Sequence, residues 1–547
     1  MEHIEALRSS GHNISNKFLN NSTGKFYTHF DIGSHITNAL VTAIAERRIA
    51  DKKIKVADPF AGDGRLIEWL INKWVEGDMP AVEWDVELWD INAEGLSIAE
   101  EKMQSLVQKG IVLNYTTRTA DAFKLSQTRQ EAFDIVITNP PWELLKPDTR
   151  HLNELQDEFR EEYINAVRKY DSFLSSHFPK AQPKRKFAGW GTNLSRVGLE
   201  LSHLICKQDG FIAIVIPASF FADDQSLALR TEILKQNELI DIAFFPAEAR
   251  LFAKADVNSA TFVYRKTLPA NTALRISLYN NEVKITSSDY FPPDGGLGGL
   301  AGNIIPISLT PDAIKVLNKI TTDMPTWEDL ETEEENGLWA GRELDETGRL
   351  NWLSDQGIGP KFMKGAMIDR YAITQTPVQY VNKANWTAPP SCEFERIAWR
   401  DVSRSSQKRR MIATLIPGNT VAGNSLNVAY FRDGDPSALR ILLSIMNSLC
   451  FEFQLRSHLA TGHISLTSIR KVCVPSKKGL LSYTILQNAV ESVLKNEWIA
   501  EYTIEAIVAR EVYHLSENEF DLVISTFQKI TEEERQIMLA EYRKIGN

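Results

Sequence analysis

The sequence predicts an α/β domain over residues 1–285, followed by a region of mixed α+β character. Three observations predict it. Short apolar runs each end in an acid or an amide, and segments with helical apolar spacing separate them, as in a sheet whose strands are joined by helices. The run Asp294-Gly295-Gly296-Leu297-Gly298-Gly299 punctuates the chain inside an expected linker at 286–305, as clustered glycines do at a boundary. Beyond it, over 306–480, strands are shorter and aromatic-rich, and 481–547 reads as a final helical region.

The first strand, Lys55-Val56-Ala57, leads into Asp58-Pro59-Phe60-Ala61-Gly62-Asp63-Gly64 and then a helical pattern from Arg65. A Gly-x-Gly turn between strand and helix lets backbone approach a ligand closely. The third glycine of the dinucleotide fingerprint and the Gly-Lys-Ser/Thr ending of a P-loop are both missing. The acidic loop suits a cationic or hydroxyl-rich ligand, although a plain tight turn reads the same way. The second strand, Val82 to Trp89, alternates and ends at Asp90, before Ile91-Asn92. An acid there is where nucleotide-binding α/β folds hold ribose hydroxyls. Thr119-Ala120-Asp121-Ala122-Phe123 reads as a third strand tip, with Asp121 an acceptor for an adenine amine and Phe123 a surface for its ring. Each acid alone reads more readily as a loop or helix-cap residue. The ordered set Asp58, Asp90, Asp121, Asn139 does not, because a helix-length segment separates each from the next.

The fourth strand, Phe133 to Thr138, ends in Asn139-Pro140-Pro141-Trp142. Asn139 offers an amide oxygen, the prolines stiffen the backbone, and Trp142 supplies a stacking face. The tetrapeptide suits a planar ring bearing an amine, and in isolation it is also a strand-ending turn.

Together these motifs resemble the gamma-class N6-adenine-specific DNA methyltransferases of type II restriction-modification systems. Gly24-Lys25-Phe26-Tyr27-Thr28-His29 is similar to the family's N-terminal motif at the methionine end of the cofactor. Gly191 to Leu194, Gly210 to Pro217, and Ala249-Arg250-Leu251-Phe252 with Val257 to Thr261 resemble the later motifs. Phe60-Ala61 stands where many relatives have Ala-Cys, and Trp142 where Tyr or Phe is commoner. The resemblance implies a Rossmann-like S-adenosylmethionine-dependent methyltransferase domain with a mixed seven-stranded sheet, then an α+β target-recognition domain. It implies cofactor contacts at Tyr27, Thr28, Asp58, Phe60, Gly62, Gly64, Asp90, Ile91, Asp121 and Phe123. Catalysis would fall to Asn139, Pro140, Pro141 and Trp142, with Trp142 and Phe252 against a flipped base. Phe362 to Gly365, Ile397 to Asp401, Ala413 to Pro417 and Gly462 to Leu466 resemble segments of target-recognition regions.

Net charge over 547 residues is −10, so contact with nucleic acid has to come from local charge. Lys184, Arg185 and Lys186 form one basic group beside Lys180, Phe187 and Trp190. Residues 396–410 hold six basic residues (Arg396, Arg400, Arg404, Lys408, Arg409, Arg410) against the single acid Asp401. Lys184, Arg185, Lys186, Arg400, Arg404, Lys408 and Arg409 are the expected DNA contacts, and a solvated face is the plainer reading of either run. Segment 144–187 is a polar insertion with a helical pattern near Leu152 to Tyr170. Cys206, Cys392, Cys450 and Cys473 are scattered, so neither zinc nor disulfides are expected. With no long apolar run and no signal peptide, a cytoplasmic monomer is expected, with duplex DNA as partner.

Glu282-Val283-Lys284 has a nuclease-like Glu-x-Lys form without a preceding strand-end acid, so cleavage, if paired with this protein, is expected from a separately encoded restriction endonuclease. The same Asn-Pro-Pro-aromatic chemistry serves N4-cytosine, RNA bases or protein glutamine. A DNA-recognition subunit with a relic cofactor fold is the non-enzymatic alternative.

Overall fold

The computed structural model describes residues 27–545 apart from 48–51, 148–156, 185, 187–190, 253–256, 270–271, 292–303, 334–335, 348–349, 383–385, 404–406, 460–462, 496 and 498. The chain divides into two compact units, Met1–Ser308 and Leu309–Asn547.

In the first unit, strands alternate with helices. The order is α1 (Phe30–Glu46), β1 (Lys53–Asp58), α2 (Arg65–Glu76), β2 (Glu83–Asp90), α3 (Ala93–Gln108), β3 (Leu113–Thr119) and α4 (Ala122–Leu125). Then come β4 (Phe133–Thr138), α5 (Asp157–His177), α6 (Leu194–Ile205), β5 (Cys206–Pro217), α7 (Leu227–Gln236), β6 (Glu238–Phe245), β7 (Ser259–Arg265), β8 (Leu274–Tyr279) and β9 (Ile285–Phe291). The nine strands form one sheet in the order β3-β2-β1-β4-β5-β7-β6-β8-β9. Strands β3 to β5 are mutually parallel, and β7 runs antiparallel between β5 and β6.

Central strands buried on both faces need continuous apolar runs. Ile135-Val136-Ile137 and Ile212 to Val215 meet that need and are buried. Helix α1 packs on α2 and over β5 and β7, while α6 packs on β4 and β5. The chain therefore leaves β1 toward β2 on one side and enters β4 on the other. The reversal of strand order between β1 and β4 opens a crevice at their carboxyl ends, where open α/β sheets bind ligands.

Two expectations are corrected. The sheet has the seven expected strands plus β8 and β9, which pair antiparallel, with β8 parallel to β6. It therefore runs through Phe291, past the boundary expected at 285. Most of the expected linker, including the 294–299 glycines, lies outside the described residues. In the insertion, α5, described from Asp157, continues past the expected end at Tyr170 to His177, where Leu174 and the following Phe178 are fully buried. The expected start near Leu152 lies outside the described residues.

The second unit holds an antiparallel sheet with strands Leu338–Gly341, Leu426–Phe431, Arg396–Arg400 and Ala413–Ile416 in that spatial order. A smaller mixed sheet includes Lys361–Met363 and Thr420–Ala422. Helix Thr484–Leu494 packs on the buried helix Pro436–Met446. The expected division at 480/481 therefore does not separate compact units. Among the described residues no single helix is long and apolar enough to cross a membrane.

The Arg396 guanidinium and Glu343 carboxylate are both 0% exposed. They meet through two bonds, Nε to Oε1 at 2.7 Å and Nη2 to Oε2 at 2.9 Å. Ser391 Oγ and the Ala422 N–H complete the acceptor set. Removing one member of such a pair strands a buried charge, so Glu343→Gln is expected to destabilise the protein by about 3–5 kcal/mol in denaturant unfolding. A loss below about 1 kcal/mol, the range of an exposed pair, contradicts this packing.

Candidate active site

Asp58 ends β1 and Thr138 ends the neighbouring β4, so the two side chains meet at the switch point. Thr138 Oγ1 donates to Asp58 Oδ1 at 2.6 Å, and the Phe60 N–H donates to the same oxygen at 3.1 Å. Asp58 is 1% exposed, and its Oδ2 is buried without a hydrogen-bond partner. Burial pushes the carboxyl up to about 7 in spite of these two hydrogen bonds. A buried carboxylate oxygen without a donor is costly, and a cationic N–H group would satisfy it.

The loop after Asp58 turns through Gly62 and Gly64, both left-handed at φ 53° and 72°. Gly62 N–H donates to Asp90 Oδ2 at 2.8 Å, and Asn92 N–H donates to Asp90 Oδ1 at 2.8 Å. Asp90 thus fixes the loop from the tip of β2, and Asp90 and Ile91 stay half-buried at its edge. A Cβ at Gly64 would lie 2.8 Å from the Ala99 Cβ, so the turn sits close on α3. Asp121 caps α4 by accepting from the Phe123 N–H at 3.0 Å. Phe123 is buried, with its ring 5.2 Å from that of Phe60.

The N-terminal strap reaches the same place. The Arg65 guanidinium lies 4.7 Å from the centre of the Tyr27 ring and donates to the Thr28 carbonyl at 3.1 Å. Asn139 Nδ2 donates to Thr28 Oγ1 at 3.1 Å, which fixes the amide's rotation. Pro140 is buried on α6, where a Cβ at Gly198 would approach its Cβ to 2.4 Å. Pro141 and Trp142 are half-buried, and Trp142 meets Phe252 edge to face at 4.6 Å. Its Nε1 is buried without a hydrogen-bond partner. Burial also pushes the next carboxyl, Glu143, up to about 7.

One structure thus gathers the expected strand-end residues, Tyr27, Thr28 and the Trp142–Phe252 pair. Four further residues belong to it: Thr138, Arg65, Gly198 and Tyr170, whose hydroxyl donates to Asp121 Oδ2 at 2.8 Å. Only Gly198 carried a local signal, as a glycine inside a helical apolar run.

The expected DNA contacts fare differently. Lys184 is exposed, whereas Lys186 pairs with Asp171. Arg185 and Arg404 lie outside the described residues, as do 24–26 of the N-terminal motif. Arg409 is corrected to an internal residue: it bonds Glu452 at 3.1 Å and Glu505 at 2.7 Å, both acids buried, and they hold its proton more firmly than usual. Arg396 and Arg410 of the same run are buried as well. Arg400 donates to the Ile368 carbonyl, and Lys408, still exposed, pairs with Glu534.

The raised Asp58 carboxyl gives a signed pH dependence. Without a cation it holds its proton up to about pH 7, so its contribution to stability is present in acid and lost as pH rises through that value. A cationic ligand at Oδ2 favours the ionised form. If S-adenosylmethionine, the cofactor that the resemblance implies, is that cation, its titration at pH 6 in buffers of different ionisation enthalpy should read release of about one proton, absent in Asp58→Asn. Equal heats in all buffers for the wild type contradict the assignment.

The comparisons with known proteins agree with this topology. The type IIL restriction-modification enzyme MmeI, solved in complex with DNA, is similar over 94% of this chain and 76% of its own, with a TM-score of 0.51 and 11% identity. A nuclease-deletion mutant of the type ISP enzyme LlaGI, solved with a DNA substrate mimic, is similar over 90% of this chain at a TM-score of 0.52 and 11% identity. This chain spans 56% of that LlaGI chain. The likeness is one of fold, a large, mostly parallel α/β sheet followed by a further C-terminal region. No curated protein matches the sequence. Residues 72–252, which include Asp90, Asp121, Asn139 to Trp142 and Phe252, match the family model described as Eco57I restriction-modification methylase.

Proposed function

We propose that this chain methylates the N6 amine of an adenine flipped out of a specific duplex DNA sequence, as the modification activity of a restriction-modification system. The observation that carries this reading is the joining of Asn139 to Thr28 beside the buried, half-satisfied Asp58, with Trp142 and Phe252 following. S-adenosylmethionine supplies a methyl group activated on a sulfonium. Its cationic and hydroxyl-rich parts fit the donors and acceptors present: Asp58 for an ammonium, Asp90 for ribose hydroxyls, Asp121 for the adenine amine.

An exocyclic adenine amine is a weak nucleophile because its lone pair is delocalised into the ring. Asn139 and the Pro140 carbonyl accept its two hydrogens, which draws the nitrogen toward tetrahedral geometry and frees the lone pair. Thr28 fixes the Asn139 amide in advance, and such preorganised dipoles are where much catalytic stabilisation lies. Pro140 is held against α6 by the absence of a side chain at Gly198, so its carbonyl direction is set by packing. The aromatic pair takes the face of the extruded base, as enzymes acting on a base require. The MmeI and LlaGI structures, with DNA or a DNA substrate mimic bound, support DNA as the substrate. Chain order and the asparagine at 139 favour adenine.

Asn139→Ala should lower methyl transfer to DNA by at least about a hundredfold, the scale of losing one aimed polar group. Binding of S-adenosylhomocysteine should remain within about threefold, since Asn139 addresses the base and not the cofactor. Near-normal turnover in this variant contradicts the mechanism.

A further inference from the structure

We propose that Tyr170, on helix α5, is a positioning residue of the cofactor's adenine subsite, so that this helix and the Phe178 that follows it form one wall of that subsite. This rests on the assignment of Asp121 and Phe123 to the adenine ring. Two separate contacts join α5 to that pair. The Tyr170 hydroxyl donates to Asp121 Oδ2 at 2.8 Å, across 49 residues of sequence. Just past the end of α5, the fully buried Phe178 ring lies 5.9 Å from that of Phe123. The insertion thus touches both the polar and the aromatic half of the subsite.

The hydrogen bonding explains what Tyr170 does there. The Asp121 carboxylate receives one donor on each oxygen, the Phe123 N–H on Oδ1 and the Tyr170 hydroxyl on Oδ2. Two donors fix the rotation of the carboxylate plane. Each oxygen keeps capacity for a second donor, and an amine on a purine ring is such a donor. A purine with a carbonyl at that position would instead set oxygen against carboxylate. Discrimination between the two rings depends on how firmly the carboxylate is aimed, which is the part Tyr170 supplies.

Helix α5 is anchored near this contact. Leu174 is fully buried, and Asp171 pairs with Lys186. Lys186 Nζ also donates to Ser175 Oγ at 2.7 Å, and Ser175 Oγ donates to Gln182 Oε1 at 3.2 Å. Thr192 Oγ1 donates to that same oxygen at 2.7 Å. These bonds tie the helix to the segment entering α6, on which Pro140 rests.

The test is calorimetric binding of S-adenosylhomocysteine and of its inosine counterpart to the full chain, as wild type, Tyr170→Phe and Phe178→Leu, with thermal melting of each. Wild type should prefer the adenosyl ligand. Tyr170→Phe should lose about tenfold in adenosyl affinity, the scale of one hydrogen bond to a charged group, while inosyl affinity changes by less than about twofold. Phe178→Leu should weaken both ligands together, because it alters the aromatic wall shared by both rings. Unchanged preference in Tyr170→Phe with a normal melt overturns the proposal. Tighter adenosyl binding also overturns it, since the hydroxyl would then compete with the amine for Asp121. Failure of the wild type to bind either ligand overturns the cofactor reading itself, and this inference with it.

Discussion

The hydrogen bond between Thr138 and Asp58 joins the ends of β1 and β4 across the point where strand order reverses, and the site is arranged around it. It holds a carboxylate 1% exposed, with one oxygen satisfied and the other not. Such a group lowers the stability of the protein without ligand. Folds break local rules of this kind where function requires it. In the proposed function, this half-satisfied acid is the group that takes the cationic partner.

Around Asp58 the site is stiffened by groups that serve two neighbours at once. Asp90 accepts from the backbone of both Gly62 and Asn92, so the acid at the tip of β2 also shapes the loop after β1. Arg65 holds Tyr27 by its face and Thr28 by its carbonyl, and Thr28 in turn orients Asn139. The amide at the end of β4 is therefore positioned by the chain N-terminal to the sheet and by α6 beneath Pro140. A reacting amine would meet dipoles already aimed, with little reorganisation left to the reaction step.

The ends of β1 and β4 were legible because central parallel strands covered on both faces are apolar near their tips, so a polar residue there stands out. Strand β2 alternates and β3 is a polar marginal strand, and Asp90 and Asp121 were legible only through their order along the chain. Strand β9, with the sequence Ile285-Thr286-Ser287-Ser288-Asp289-Tyr290-Phe291, was not, because a strand at the sheet margin carries no such constraint. The basic run 396–410 misled for a different reason. Composition shows charge but not its partner, and the acids that neutralise Arg396 and Arg409 lie 53, 43 and 96 residues away in sequence, at Glu343, Glu452 and Glu505. The bond from Tyr170 to Asp121 has the same character. Periodicity reports which face of a helix is buried and not which distant side chain it meets.

The most direct measurement is nucleoside mass spectrometry of duplex DNA incubated with the full chain and S-adenosylmethionine carrying an isotopically labelled methyl group. The account predicts that the label appears as N6-methyladenine, confined to one short sequence context. Label in N4-methylcytosine, label in protein or RNA under the same conditions, or none in DNA while the cofactor binds, would contradict it.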